Sequence, residues 1–538
     1  MPRSSLVQIA GMARSYGLRL AVRLRIIGFA AMLTALMLTA GCAVGPDFQR
    51  PAAPIVDGYI PEPLPAQTAS VDVPGGEAQR LVQEMDIPGQ WWTLFHSKPL
   101  SGLIEQALKK NPDLESAQAA LREAWENVYA QEGAFWPAIA ASYGATRQKG
   151  PGVLGSPTAS GDYIYNLHTA QVTVAYTPDV FGGTRRQVES LKAQADSQRF
   201  QLEAAYLTLT SNVVANAIQE AGLRGQIAAT RKIIEIESHS LELLKRQYWL
   251  GQVAEADVVA QEAALAQAQA ALPPLEKQLA QQRDLLNRLT GRFPSAALTE
   301  QFEISSLELP QELPVSLPSK VVEQRPDVRL AEEQMHAASA QIGVAVANRL
   351  PDITLSADLG SSSVAIAQLF TSGTGFWTLA ANVAQPIFQG ATLLHRQRAA
   401  EAAFAQVAAQ YRSTVLTAFQ NVADVLYAIH SDADAVKTAA AAEKAAAKIL
   451  AIARRQLELG DISYLALLNA QQTYQQASLN LALALSNRYA DTAALFQALG
   501  GGWWNRSDAP APTSVLGRID PVPRQNSIRA SQAASRHS

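Results

Sequence analysis

Cysteine is almost missing from this chain: Cys42 is the one example in 538 residues. A disulfide framework and a cysteine metal site are therefore excluded within one chain. The seven histidines show no pair at metal-ligand spacing, and HExxH is absent. P-loop and nucleophile-elbow patterns are missing too. Gly150-Pro151-Gly152-Val153-Leu154-Gly155 spells a dinucleotide fingerprint, but Ser156-Pro157 follows where a helix should aim its amides at pyrophosphate. It reads as a glycine-rich loop. Asp432 and Asp434 read as a solvated helix face, not a carboxylate pair. Charge is also scarce, at 17% of residues with a net charge of −3, and no basic patch is interleaved with aromatics for nucleic acid. Past the N-terminus no apolar run reaches the roughly 18–20 residues of a spanning helix. Neither enzyme activity nor a cofactor is expected.

Proline is missing where it matters most. None occurs from Asp179 to Leu272 or from Ile387 to Ala509, and both tracts are rich in Ala, Gln, Leu, Glu and Arg. Those residues lose least on entering a helix. As one rod, Thr184 to Leu250 would extend roughly 100 Å, with a possible bend at Gly222 and Gly225. The tracts repeat each other. Arg246-Gln247-Tyr248-Trp249-Leu250-Gly251 returns as Arg455-Gln456-Leu457-Glu458-Leu459-Gly460, and the same offset carries Gly291 onto Gly500. Upstream, Asn111-Pro112-Asp113-Leu114 answers to Arg325-Pro326-Asp327-Val328. A period of about 210 residues lies far beyond solenoid repeats and means two duplicated halves. Each helix pair should reverse at Gly251 or Gly460 and close at a terminal glycine. Pro273-Pro274 should interrupt the first pair with a kink.

At the N-terminus, Arg14, Arg19, Arg23 and Arg25 precede the apolar segment Ile26–Ala40, which ends in Leu38-Thr39-Ala40-Gly41-Cys42. This is a secretory signal over 1–41, too short in its apolar core for an anchor helix. Cleavage directly before a lone cysteine makes it a lipoprotein signal, with Cys42 carrying the lipid. Gly45 to Pro88 is proline-rich without periodicity, so an extended segment rather than part of a core is expected over 42–99. Residues 294–319 should connect the halves, and the tail 506–538 should be disordered.

Within each half the period changes from 3.6 to 2. Ile139, Ala141, Tyr143 and Ala145 alternate with small or polar residues, as do Ala170, Val172, Val174 and Tyr176. Ile353, Leu355, Ala357 and Leu359 do so in the second half, with Trp377, Leu379, Ala381 and Val383. The first half (100–293) is thus expected to hold strands near 137–147 and 167–176 and helices over about 183–291. The second (320–505) should hold strands near 352–361 and 376–385 and helices over about 390–499. The loops Gln148–Tyr165 and Ser361–Gly375 face away from the helices. Export, the lipid signal and aromatics near strand ends favour a membrane β-barrel over a soluble hairpin. Four strands cannot close a barrel, and an open edge in lipid leaves backbone groups unpaired. Several chains must pool their strands.

Certain runs also resemble a known family: Cys42 to Pro51, Trp91-Trp92-Thr93-Leu94-Phe95, Leu379 to Gly390, Arg455 to Gln471 and Gly500-Gly501-Gly502-Trp503-Trp504. The chain is similar over about Cys42 to Trp504 to the TolC-like outer-membrane factors of tripartite, RND-type efflux systems, in the lipoprotein branch containing OprM and NodT. The resemblance implies an α+β membrane protein: a homotrimer whose twelve-stranded β-barrel, four strands per chain, continues into a long periplasmic antiparallel α-helical barrel. It implies an outer-membrane location, a lipid on Cys42, and a passive exit channel that pairs with a periplasmic membrane-fusion adaptor and an inner-membrane RND-type transporter. The adaptor is expected at the helix tips around Gly251 and Gly460. The gate is expected at Leu465 and Asn469, with Asp461, Glu255 and Asp257 near enough to supply charge. Asn469 departs from the family's usual Asp, and packing between helices is an equal reading for Leu465 and Asn469. The alternatives in function are a lipid-anchored periplasmic coiled-coil scaffold or adaptor, and an exit duct for type I protein secretion.

Overall fold

A computed structural model describes residues 43–62, 65–149 and 164–506. The signal segment, Cys42, the Gly150–Gly155 loop and the tail from 507 lie outside these residues. In chain order the main elements begin with β1 (Arg80–Gln83), α1 (Lys98–Lys110), α2 (Pro112–Glu132), β2 (Ala138–Lys149) and β3 (Ile164–Tyr176). The helices α3 (Gly183–Trp249) and α4 (Glu255–Leu289) complete the first half. Then come β4 (Glu312–Val315), α5 (Pro318–Gln324), α6 (Pro326–Ala347), β5 (Asp352–Ser363), β6 (Gly375–Ala384), α7 (Thr392–Glu458) and α8 (Tyr464–Ala498).

Local chemistry sets the helix starts. The Ser97 hydroxyl accepts from the Leu100 amide at the head of α1. Asn111 ends that helix and begins the next, its side chain accepting from the Asp113 and Leu114 amides while Pro112 occupies the first turn. The same Asn111 donates to the Leu289 carbonyl at 2.9 Å, tying α2 to the end of α4.

The proline-free tracts become two helix pairs of matching lengths: 67 and 35 residues in each half. The longer helices span about 100 Å. α3 runs unbroken through Gly222 and Gly225. Gly222 serves close approach instead of a bend, because a Cβ there would lie 2.4 Å from the Ser486 hydroxyl of α8. α4 likewise continues through Pro273 and Pro274 rather than being interrupted. Both prolines and the carbonyl-bearing residues Gln269 and Ala270 are exposed, so water can take the carbonyls that lose their helical donors. Among the described residues no helix is long and apolar enough to cross a membrane.

β2, β3, β5 and β6 form one antiparallel sheet in that order. The strands outrun the expected loops. Gln148 and Lys149 still pair with Tyr165 and Ile164, and Ser362 and Ser363 with Thr169 and His168. The period-2 pattern gives the sheet two unlike faces. One carries Ile139, Val172, Leu355, Leu359, Trp377, Leu379 and Val383, all exposed. The other carries Ser142, Thr169, Gln171, Thr173, Ser356, Asp358, Thr378 and Asn382. β2 and β6 are the edges.

The core sits around the middle of the long helices. Trp91, Trp92 and Phe95 are buried among α1, α3 and α8, with Trp91 stacked on Phe496 at 5.3 Å between ring centroids. Here the proline-rich segment departs from the expectation of extended chain outside the core. β1 pairs in parallel with β4, and Thr68, Gln79 and Ile87 are buried. The reason is Arg488 of α8, itself buried, which donates to the Gly75 carbonyl (3.1 Å), the Glu77 carbonyl (2.5 Å) and the Thr68 hydroxyl (3.3 Å). A buried guanidinium needs acceptors, and the irregular chain supplies its carbonyls.

Candidate gate at the helix tips

The two helix reversals are built alike. Gly251 and Gly460 both lie in the left-handed region, at φ +69° and +78°. At the first tip the Gly251 amide donates to the Tyr248 carbonyl (2.9 Å) and the Gln252 amide to the Gln247 carbonyl (2.9 Å). At the second, Gly460 donates to Leu457 (3.0 Å) and Asp461 to Gln456 (2.9 Å). This is the Schellman pattern, in which a positive-φ residue lets the last helical carbonyls find donors. Both glycines are exposed with open space about them. Trp249 is 84% exposed beside Gly251, and Leu250 and Leu459 are exposed at the two tips.

Below the tips, Leu244, Val258, Leu450, Ala453, Tyr464, Leu467 and Ala470 form a second buried cluster joining the two helix pairs. It divides the segment Leu465–Asn469. Leu467 and Leu468 turn into the chain's own interior, whereas Leu465 (60% exposed) and Asn469 turn out. Asp461 and Glu255 are also exposed, and Asp257 is half-buried. Leu465, Asn469 and Thr473 stand four residues apart and so share one stripe of α8. That stripe carries no formal charge, since no Asp, Glu, Lys, Arg or His occurs from 462 to 487.

A polar network crosses the same junction. Gln261 of α4 donates through Nε2 to the Glu237 carbonyl (2.8 Å) and to Glu237 Oε2 (2.5 Å) of α3. The Tyr464 hydroxyl of α8 donates to Gln261 Oε1, and Gln471 donates to the Ser240 hydroxyl at 3.2 Å. Burial raises the Glu237 carboxyl, opposed by the Gln261 hydrogen bond and the Arg454 charge. Burial also pushes the Tyr464 phenol up, aided by Glu237 and Asp257. Beside the network a cleft of about 380 Å³ opens between α3, α7 and α8, lined by His239, Leu243, Gln247, Arg454, Leu457 and Glu458 among others. Sequence patterning does not single out Glu237, Gln261 or Tyr464. The available signal is a polar residue at a position whose helical neighbours face the core. Tyr464→Phe leaves Gln261 Oε1 without that donor at a cost of about 1–3 kcal/mol. Amides near residues 237–261 should exchange faster in this variant while those around Trp91 keep their protection.

Asp432 is not the solvated residue its neighbour Asp434 is. It is half-buried on α7 and faces the Asp491 carboxyl of α8. Burial first, then the neighbouring Asp491 carboxyl, push its own carboxyl up to about 7, against the opposing pull of Arg488. The folded chain thus holds a proton that the unfolded chain has released above its ordinary value of 3.8. Stability from this site is full below that value and is lost as pH rises through about 7. Asp432→Asn should therefore stabilise the protein by about 1 kcal/mol at pH 8, a value discounted for solvent access, and by nothing at pH 3. Thermal melts at the two pH values check this.

Cys42 lies outside the described residues, but Ala43 is placed. It touches Gly182, and the Val44 amide donates to the Phe181 carbonyl at 3.1 Å. Arg186 donates to Asp47 at 2.6 Å, and Phe48 stacks on His336 at 4.5 Å. Residue 43 is thus held where the sheet meets the helices. Among the described residues no group of His, Cys, Asp or Glu could hold a metal ion.

The model of the outer membrane efflux protein family matches residues 103–292 and 317–501. The toluene efflux pump outer membrane protein TtgF of Pseudomonas putida is 30% identical over 485 residues, covering 87% of this chain and 96% of TtgF. The outer membrane protein OprJ of Pseudomonas aeruginosa is 26% identical over 479 residues, covering 88% of this chain and 96% of OprJ. Among solved structures, the outer-membrane channel OprN superposes with a TM-score of 0.76 at 25% identity, covering 86% of this chain and all of that one.

Proposed function

Because the chain belongs to the outer membrane efflux protein family, we propose that it is the tip-gated exit duct of a tripartite pump. It is an outer-membrane protein and the exit channel of an efflux system. In this reading three copies pool their sheets into a twelve-stranded barrel, and their helix pairs continue it as a periplasmic tunnel. A lipid on Cys42 anchors each copy. A membrane-fusion adaptor meets the tips around Gly251 and Gly460, an RND-type transporter drives cargo from the inner membrane, and nothing is catalysed. Residues 1–41 are removed as the signal, 42–99 carry the anchor, 100–293 and 320–505 are the duplicated halves, 294–319 joins them, and 506–538 is the tail.

The observation that carries this is the four-stranded sheet. It leaves β2 and β6 as edges and turns an apolar face to its surroundings. In lipid such edges cost several kcal/mol for each unpaired group, so they must pair with other copies. The helices point the same way: Tyr411 is the first buried residue of α7, so in a single chain some five turns before it stay exposed or half-buried.

At the tips, Leu465 forms the constriction and Asn469 a neutral ring beside it, with Asp461 as the nearest exposed charge on that helix pair. The functional test is deletion and restoration of the gene, with accumulation of dyes, antibiotics, detergents, toluene and metal salts recorded in cells. Deletion should raise accumulation of at least one class, and restoration should reverse it. Unchanged accumulation throughout, with loss of secreted polypeptides instead, would replace the pump with a secretion duct.

A further inference from the structure

One carboxylate stands apart in the four-stranded sheet. Asp358 is the only Asp or Glu within its strands except Asp352, which opens β5. At about 3.3 Å per residue it lies roughly 17–20 Å from either end of β5, near mid-height. Its register partners are Thr173 of β3 and Thr378 of β6. The Thr173 hydroxyl donates to Asp358 Oδ1 at 2.6 Å, and Gln171 donates to the Thr173 hydroxyl at 3.3 Å. The carboxylate therefore belongs to a hydroxyl and amide face, while Leu359, beside it in sequence, belongs to the exposed apolar face.

A charge at mid-membrane depth costs kcal/mol in lipid, so the face bearing Asp358 turns to water and the Leu359 face to lipid. We propose that Asp358, once per protomer, forms a ring of carboxylates in the barrel lumen that makes the outer-membrane part of the channel prefer cations to anions. This rests on the trimeric-barrel reading given above. Rings of acidic side chains select cations by concentrating them and repelling anions. Apart from Asp352 at the start of β5, the rest of this face is neutral along the described strands: Ser142, Thr169, Ser356, Thr378 and Asn382 offer dipoles but no net charge. In a wide lumen the effect depends on screening, since the Debye length is about 10 Å at 0.1 M salt and 3 Å at 1 M.

Two measurements test it on the full-length protein. In intact cells, a membrane-impermeant, negatively charged methanethiosulfonate should modify Asp358→Cys and leave Leu359→Cys untouched. The chain offers no other thiol besides Cys42. Modification of Leu359→Cys alone would overturn both the ring and the barrel reading. In planar bilayers under a KCl gradient near 0.1 M, Asp358→Asn should lower the cation-to-anion permeability ratio by about twofold or more. Asp358→Lys should move it towards anions, and both differences should vanish near 1 M. If Asp358→Cys is modified yet the ratio is unchanged in Asp358→Asn, or if Asp461→Asn alone removes the preference, the ring falls while the channel stands.

Discussion

Leu379→Arg should abolish the assembled channel in the outer membrane, while Thr378→Arg, one residue away, should leave it near wild-type amounts. Adjacent strand residues point to opposite faces, and the register fixes which is which. Leu379 pairs with Ala357 and is 73% exposed on the apolar face, whereas Thr378 pairs with Asp358 on the polar face. An arginine on the lipid face near the midplane costs about 2–4 kcal/mol. Three copies bring that to roughly 6–12 kcal/mol for a trimer, as large as the whole stability of an ordinary domain. On the polar face the same guanidinium meets water and a carboxylate. Oligomer abundance in outer-membrane fractions, resolved without dissociation, decides it. Equal survival of the two variants, or loss of Thr378→Arg alone, would reverse the assignment of faces.

Leu465→Ser or Leu465→Asp should make the resting channel leak. Leu465 is 60% exposed in the single chain, while Leu467 and Leu468 are buried. In the three-copy reading, a large apolar side chain held out of its own chain at the tip gains burial only against the other copies. If each leucine contributes about 1.4 kcal/mol to the closed state, about half of the roughly 3 kcal/mol at the upper end for full burial, three contribute roughly 4 kcal/mol. Losing that shifts the closed-to-open ratio by about 10³. Single-channel conductance of the purified variant and entry of bulky antibiotics into cells both report it. Unchanged values in both would give Leu465 back to simple helix packing. Leu467→Ser serves as the contrast, since it opens a cavity in the cluster with Leu244 and Tyr464 and should act through stability.

Much of this architecture is readable from local pattern. Missing prolines mark three of the four long helices, α4 alone running through Pro273 and Pro274, and the glycines at 251, 291, 460 and 500 mark their ends. Alternation marks the strands, with errors at their tips. Gln148, Lys149, Ser362 and Ser363 look like loop because they are polar, yet Gln148 and Ser362 continue the polar face of the sheet and Lys149 and Ser363 end their strands on the other. What local pattern cannot carry is long-range pairing. Thr68 and Gly75 meet Arg488 from more than four hundred residues away, so an aperiodic segment becomes part of the core. Asp432 looks solvated until α8 brings Asp491 to it. At the tips the glycine turns and Leu465 are visible in sequence, whereas the Glu237–Gln261–Tyr464 network needs three helices to be placed first.

The most direct test of the central claim, that copies of this chain pool their sheets into a conducting channel, is made on the purified protein in detergent and then in planar bilayers. Its oligomeric mass would be measured first, and conductance from the same preparation second. A particle of three chains that inserts and gives discrete ion-conducting steps is the expected result. A stable monomer, or a trimer that stays in solution without detergent and conducts nothing, would contradict it and leave a periplasmic helical scaffold in its place.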